Sequence, residues 1–353
     1  MKILVINPGS TSTKIAIYEG EEPIYTQSIN HTPADLAPYD GVLAQLQYRL
    51  EMIRAAIEKA GYKLSDLAAV SARGGFTRPV VAGTYRVNET AVEEMRHHAR
   101  REHASNLGIL LAWELTKGTD IPAFFVDPVS VDEITDVARV TGFCGMERES
   151  FFHALNHRGM ARKAAAMLGK RYDECNFVVA HLGGGVTVAA HQKGRAVEAN
   201  CIFDEGCFSM DRGGGLPVHQ VVELCFSGRT KEDILRQIDT ASGVVSYLNT
   251  RDFRDVERMA FEEGRADAKR IYDAMVYQLS RDIGGMAAIL KFDVDAIILT
   301  GGMAYSKRFT AAVEEYVGKI APVMVLPGEA EMLSLAQGAI RVLTGEEQPH
   351  ELS

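Results

Sequence analysis

Ile3-Leu4-Val5-Ile6-Asn7-Pro8-Gly9-Ser10-Thr11-Ser12-Thr13-Lys14-Ile15-Ala16-Ile17-Tyr18 and, far downstream, Phe177-Val178-Val179-Ala180-His181-Leu182-Gly183-Gly184-Gly185-Val186-Thr187-Val188-Ala189-Ala190 share one design. Each reads as an apolar, β-branched strand, a tight turn of small residues and a second strand. Such a turn exposes backbone N–H groups and, where Ser and Thr stand in it, hydroxyls; a phosphate oxygen accepts from both. One hairpin of this kind is most often an ordinary glycine turn. Two of them, with a third glycine turn at Gly301-Gly302 after an apolar strand, shift the reading towards nucleotide binding. They predict a phosphate-binding cleft between two related lobes.

At 353 residues the chain exceeds one typical core, so two domains are expected. Hydrophobic residues make up 46% and charged residues 24%, which is ordinary for a soluble globular protein. The net charge of −9 argues against a nucleic-acid or anionic-membrane partner and requires a locally basic pocket for any anionic substrate. No apolar run approaches the roughly 20 residues that span a bilayer, and since the N-terminus reads as a strand at once, with no basic n-region and small-residue cleavage site, no secretory signal is expected. Five cysteines, Cys144, Cys175, Cys201, Cys207 and Cys225, lack CxxC spacing and read as reduced thiols of a cytoplasmic protein.

Strands and helices alternate in both halves. Asp40–Tyr62 carries Leu43, Leu46, Leu50, Ile53 and Ile57 at helical spacing. Leu67–Ser71 reads as a strand ending at Arg73-Gly74-Gly75, Asn88 as a helix cap, His103–Lys117 as a helix, Ile121–Val126 as a buried strand ending at Asp127-Pro128, and His153–Leu168 as a helix. The second half has a glycine-dense loop at Gly206–Pro217, then helical patterns at Val218–Phe226, Glu232–Ile238, Phe253–Glu263 and Ala266–Leu290. Strands at Ala296–Leu299 and Val323–Leu326 precede a last helix, Glu331–Leu343. The pair Gly284-Gly285 inside the long helix is expected to meet something packed closely against it. The alternation predicts α/β lobes with ligands at the strand ends and helices able to act as a hinge.

Several residues stand at positions suited to chemistry. The first turn is not a Walker A loop, since no Gly directly precedes Lys14 and no Ser or Thr follows it. His181 sits at a strand end beside three glycines, where an imidazole can donate to a phosphate oxygen, although a lone histidine is more often structural. Arg73 and Arg212 lie in glycine-rich turns that let a ligand approach a bidentate fork; most arginines are merely solvated. Asp127 ends a buried strand, a common place for a Mg2+-organising carboxylate and equally for a turn aspartate. Glu331, first in its helix, suits either a metal-water ligand or a dipole-stabilising acid. His97, His98 and His103 do not make a convincing metal cluster.

Taken together, Asn7-Pro8-Gly9-Ser10-Thr11-Ser12-Thr13-Lys14, His103-Ala104-Ser105-Asn106-Leu107-Gly108, Val126-Asp127-Pro128-Val129, Phe152-His153-Ala154-Leu155-Asn156 and Ala180-His181-Leu182-Gly183-Gly184-Gly185 resemble the butyrate kinases of the acetate kinase family. The resemblance covers essentially the whole chain, with the motifs in the family's order. It implies an α/β fold of two duplicated actin-like, ribonuclease H-like lobes, mixed sheets flanked by helices around a central cleft, shared with sugar kinases and heat-shock ATPases. Residues 1–152 with 330–353 would form the acid-binding lobe and 153–329 the nucleotide-binding lobe. It further implies a homo-oligomer and reversible, Mg2+-dependent phosphoryl transfer between ATP and a short-chain carboxylate, giving ADP and an acyl phosphate. The acid expected is butyrate, with acetate, propionate and isobutyrate as alternatives.

By the same resemblance, Asn7, Asp127 and Glu331 lie at the metal, and Ser10, Thr11, Ser12 and Lys14 belong to the first phosphate turn. His153 contacts the transferring phosphoryl group, and Arg212 acts on that group or on the carboxylate. His181, Gly183, Gly184 and Gly185 form the second turn, and Asp252, Phe253, Arg254, Gly301 and Gly302 line the adenosine pocket. His103 and Asn106 fall on the substrate side with Arg73. Two departures stand out. Acetate kinases carry Asn where this chain has Gly184, and their second substrate arginine lies slightly before a His-Gly-Gly, whereas Arg73 directly precedes Gly74-Gly75. Two other classes remain open: a sugar or polyol kinase using Asp127 as general base, and a non-metabolic ATPase switch, for whose extra domains the chain has little room.

Overall fold

Both hairpins form. In the computed structural model, which describes Met1–Ser353, β1 (Lys2–Pro8) pairs antiparallel with β2 (Ser12–Glu19), and β7 (Asn176–Leu182) with β8 (Val186–Gln192). Each gains a third antiparallel strand that the sequence pattern did not announce, β3 (Glu22–Asn30) and β9 (Arg195–Ala199). Parallel strands flank the other side: β4 (Ala69–Arg73) and β6 (Ala123–Val126) beside β1, β10 (Ala296–Gly301) and β11 (Val323–Pro327) beside β7. A short antiparallel strand, β5 (Thr84–Arg86), closes the first sheet. The sheet orders are therefore β3-β2-β1-β4-β6-β5 and β11-β10-β7-β8-β9. Apart from β5 they are the same order with the same strand directions, so the chain is an α/β protein with two copies of one mixed-sheet motif.

Two compact units result. The first comprises Met1–Asp132, Ala154–Asn156 and Ala330–Ser353, the second Glu133–His153 and His157–Glu329. Residues 133–152, assigned from the sequence to the N-terminal lobe, thus sit in the second unit. The reason is local bonding: Thr135 N–H donates to Val197 O (3.0 Å), the Glu133 carboxylate accepts from Ala196 N–H (3.2 Å), and Arg148 pairs with Glu198 (2.7 Å) and Glu205 (2.6 Å). No helix is long and apolar enough to cross a membrane.

In the first unit β1 is buried along nearly its whole length, as a central strand covered on both faces must be. Ile3, Val5, Ala69, Phe124 and Val126 pack on Leu335, Ala336 and Ala339 of the helix Glu331–Leu343. The alternate residues Leu4, Ile6, Val70 and Phe125 point to the opposite face by the pleat and are equally buried. The helix Leu107–Thr116 meets the same strands. It approaches closely through Gly108, where an added Cβ would collide with the Arg73 carbonyl oxygen. In the second unit, Val178, Ala180, Leu182, Val186, Val188 and Ala190 face a core built on the helix Ala266–Ile289. The Gly284-Gly285 pair in that helix meets nothing within 4 Å of an added Cβ, so close packing does not explain it.

The two kinds of glycine predict opposite stability effects. Gly108→Ala forces backbone apart and should cost about 1–3 kcal/mol. Gly285→Ala removes only helix entropy loss and should gain about 0.5–1 kcal/mol. Denaturant unfolding of the two variants against the parent measures both.

Candidate functional site

The strand ends of the first unit carry one group of residues. Asn7 continues the Ile3–Val5 face of β1, and Arg73 continues the face on which Ser71 Oγ donates to Leu335 O (2.7 Å). Both therefore point towards the start of the helix Glu331–Leu343. There Glu331 Oε2 accepts from Asn7 Nδ2 (2.7 Å) and from Arg73 Nη1 (2.9 Å), and Arg73 Nη1 also reaches Asn7 Oδ1 at 3.4 Å. Lys14 stands directly across from Asn7 in the ladder, on the same side of the sheet. Asp127 follows β6, buried, with a φ of +38°, a conformation a side chain rarely adopts. It is held there by Gly83, whose N–H donates to Asp127 Oδ1 (2.8 Å) while its carbonyl accepts from Asp127 N–H (3.0 Å). Strain of this kind persists where surrounding structure over-determines it, commonly at functional positions.

The first turn, Gly9–Thr13, rests on a residue the sequence did not single out. Arg49, on the helix Leu46–Lys59, is only 1% exposed. Its Nη1 donates to Gly9 O (2.8 Å), Ser12 O (3.4 Å) and Thr13 Oγ1 (3.1 Å), its Nη2 to Ser10 O (3.3 Å), and its Nε and Nη2 to Gln45 Oε1. Every acceptor is neutral, and burial pulls its pKa below the usual guanidinium range, with Tyr48 opposing. A full positive charge therefore lies buried under the turn without a protein anion to offset it. Arg49 thus holds the carbonyls of the turn inward and leaves a cation beneath Ser10, Thr11 and Ser12. Nothing local marks it, because an arginine at this helical position reads as any other.

His103 and Asn106 belong to a loop of the same unit. His103 caps the short turn Ala104–Asn106, with Nδ1 accepting from Ser105 N–H (3.1 Å). Asn106 uses both ends of its amide on backbone, accepting from Phe76 N–H (2.9 Å) and donating to Arg101 O (2.8 Å). Asn106 is thus a staple for the loops around Gly75 and Phe76, and Phe76 lies edge-on to His103 with ring centroids 5.5 Å apart.

The second unit assembles the other group. His153 stacks on His181 with centroids 3.9 Å apart. A Cβ built on Gly185 would lie 3.2 Å from His153 Cε1 and 3.3 Å from Arg212 Nη1, and one on Gly183 would lie 2.9 Å from His181 Nε2. Gly185 thus lies against His153 and Arg212 and Gly183 against His181, and a side chain at either position would crowd them. Gly184 is open, with nothing within 4 Å of an added Cβ. Gly183 and Gly184 also form one wall of a pocket of about 670 Å³, lined further by Met210, Asp252, Phe253, Arg254, Gly302 and Met303. Gly301 lies behind that lining, at φ +89° and pressed against Leu182 backbone. Phe253 belongs to the core as well, stacked on Tyr272 and edge-on to Phe309. Asp252 caps its helix and pairs with the exposed Arg254.

Behind His153 the odd-numbered face of β7 and β8 sets His181, Thr187 and His191 among the buried apolar residues Phe177, Val179 and Ala189. His153 Nδ1 and His157 Nε2 each lie 2.9 Å from Thr187 Oγ1, His157 Nδ1 lies 3.3 Å from His191 Nε2, and His191 Nδ1 lies 2.7 Å from Tyr172 Oη. Burial pushes His191 down to about 3, with Arg158 adding to the fall, and holds His157 well below its ordinary 6.5, with His191 and His181 adding. Both rings are neutral at pH 7.

No group of three or more His, Cys, Asp or Glu is placed to cage a metal ion. The donors of the first unit, the Asn7 amide oxygen and the Asp127 carboxylate at strand ends and the Glu331 carboxylate opening the last helix, instead suit a hard cation that keeps most of its water and completes its shell with phosphate oxygens, as Mg2+ does.

A model of the acetokinase family matches residues 144–328, a span that holds β7 to β11 and the pocket. Among solved structures, Porphyromonas gingivalis acetate kinase is similar with a TM-score of 0.81 at 18% identity, covering 97% of this chain and 99% of that one. A propionate kinase from Francisella tularensis gives 0.78 at 16%, covering 96% and 98%. Entamoeba histolytica acetate kinase gives 0.78 at 14%, covering 96% and 99%. At these identities the likeness is one of fold.

Two outcomes follow from the buried groups. Arg49→Met leaves the buried Gln45 Oε1 and the part-buried Gly9 O without their donor, at roughly 1–3 kcal/mol each, so denaturant unfolding should show a loss of about 2–6 kcal/mol. His191 in the unfolded chain binds a proton near its ordinary 6.5 but in the folded protein not until about 3. The folded state binds fewer protons in that window, so stability is lost as pH falls through it. His191→Gln should remove about 1.4 kcal/mol per pH unit of this acid slope, measured by unfolding between about pH 6 and 4.

Proposed function

This chain belongs to the acetokinase family of ATP-dependent carboxylate kinases, and on that premise we propose that it transfers phosphoryl reversibly from ATP to butyrate or a similar short- or branched-chain acid, giving ADP and butanoyl phosphate. The observation that supports this most is the contact of the Gly183–Gly185 turn with the pocket on one side and with His153 and Arg212 on the other. The apolar walls at Met210, Phe253 and Met303 suit a flat heteroaromatic base, and the turn leads from it along the phosphates.

The chemistry needs no strong base, because a carboxylate is already a nucleophile. Its difficulty is the approach of two anions. Arg212 and His153 donate to the equatorial oxygens of the transferring group as charge spreads over them. The His181 turn offers backbone N–H groups to the phosphate chain, with Gly184 contributing its amide where acetate kinases carry an Asn. Asn7, Asp127 and Glu331 would hold Mg2+, directly or through water, and the cation when bound would offset phosphate charge. The buried charge of Arg49 supports the first turn in the same task. Arg73, positioned by Glu331, orients the acid, while Asn106 keeps the loop carrying Phe76 and His103 in shape.

An apolar pocket separates adjacent chain lengths by only about 1–3 kcal/mol per methylene, so several acids should react. ATP-dependent hydroxamate formation across acetate, propionate, butyrate, isobutyrate and valerate tests the proposal, since only an acyl phosphate yields a hydroxamate. Butyrate or isobutyrate is expected to lead. Acetate clearly in front would revise the substrate, and no hydroxamate from any acid would overturn the reading. Arg212→Ala should lose about 10³-fold or more in turnover with its unfolding curve unchanged; near-parental turnover would remove Arg212 from the reaction.

A further inference from the structure

The polar chain behind His153 has a direction. Tyr172, His191, His157, Thr187 and His153 are linked end to end within the second unit. They lie together because Thr187 and His191 share the face of β8 that turns away from the apolar core, and His153 and His157 are one helical turn apart. A neutral imidazole carries one N–H and one lone pair on opposite nitrogens. With His157 and His191 both neutral, fixing the proton at either end of the chain fixes every proton in it.

Tyr172 supplies that fixed end. A phenol O–H is far more acidic than a neutral imidazole N–H, and two guanidinium groups, Arg158 at 5.4 Å and Arg162 at 5.6 Å from the ring centroid, strengthen it as a donor. Tyr172 Oη therefore donates to His191 Nδ1. His191 must then carry its proton on Nε2 and donate to His157 Nδ1, and His157 must donate from Nε2 to Thr187 Oγ1. Thr187 is 1% exposed, and its hydroxyl has bonds only to the two histidines. Its own hydrogen is satisfied only by donation to His153 Nδ1.

We propose that this Tyr172–His191–His157–Thr187 relay fixes His153 as the Nε2–H tautomer, making the four residues positioning residues for phosphoryl transfer. An imidazole in the other tautomer would present a lone pair to phosphate oxygens and repel them. The catalytic part of this inference rests on the role given to His153 above; the tautomer itself does not.

Nitrogen-15 spectroscopy of histidine-labelled protein, without ligands, reads the tautomer of each ring. The parent should show His153, His157 and His191 all protonated on Nε2. Tyr172→Phe and Thr187→Val, which conserve volume, should convert His153 to a mixture of tautomers. Turnover should fall roughly 10- to 100-fold, the range that outer partners of functional histidines carry, with KM for ATP and acid unchanged. Thr187→Ser, which keeps the hydroxyl, should restore both readings. A His153 protonated on Nδ1 in the parent, or an unaltered tautomer in both variants, overturns the relay. If His153→Ala retains turnover while the spectra behave as expected, the phosphoryl role of His153 fails and the relay stands. Should Thr187→Val not fold, Tyr172→Phe carries the test.

Discussion

Ile3, Val5 and Asn7 lie on one face of β1 because successive side chains of a strand alternate, and that face is covered by the helix Glu331–Leu343. The same alternation turns Ser71 and Arg73 of β4 towards the helix. Apolar residues anchor the helix along the strands, and the first polar residue beyond them meets its opening turn. The Asn7–Arg73–Glu331 group is therefore the continuation of the core by one step of the pleat. In the second unit the pleat separates Val186, Val188 and Ala190, which enter the core, from Thr187 and His191, which build the polar chain. A one-residue slip in either hairpin would exchange core and site.

Charge is handled in two different ways. The chain is acidic overall, yet Arg49 buries a cation that no protein carboxylate neutralises, spending its donors on the carbonyls of a turn that faces solvent with hydroxyls. Around His153 the opposite solution appears: His157 and His191 are buried as neutral rings, so hydrogen-bond direction rather than charge carries the information. A buried uncompensated cation favours an anionic ligand at its door, and a neutral relay keeps a donor pointed the same way without adding charge to a crowded site.

Much of this was legible in the chain. The two apolar hairpins, the buried strands at β4, β6, β10 and β11 and the last helix are marked by continuous apolar runs or by helical periodicity. The duplication follows from them. β3, with Glu22, Thr26, Gln27 and Ser28 facing water, and the short β9 lack such runs; they are strands only because an existing edge offered them hydrogen bonds. The compact units part before residue 152 for a similar reason, since Glu133, Thr135 and Arg148 find their partners in β9 and the loop after it. Gly284-Gly285 breaks a local rule with no compensating contact, and nothing in the structure explains it.

By itself, the sequence determined the α/β alternation, the repeated strand–turn–strand device and the residue types at each strand end, because apolar periodicity and glycine turns are local properties. Only the tertiary structure decided that Arg49 lies under the first turn, that Asn106 is a staple, and that five polar residues from Tyr172 to His153 form one directed chain. Those facts depend on which groups are brought within hydrogen-bond distance across 19 to 40 positions of sequence. No local pattern encodes such a meeting; packing of helix on sheet creates it, and burial then removes the water that would otherwise have satisfied each group separately.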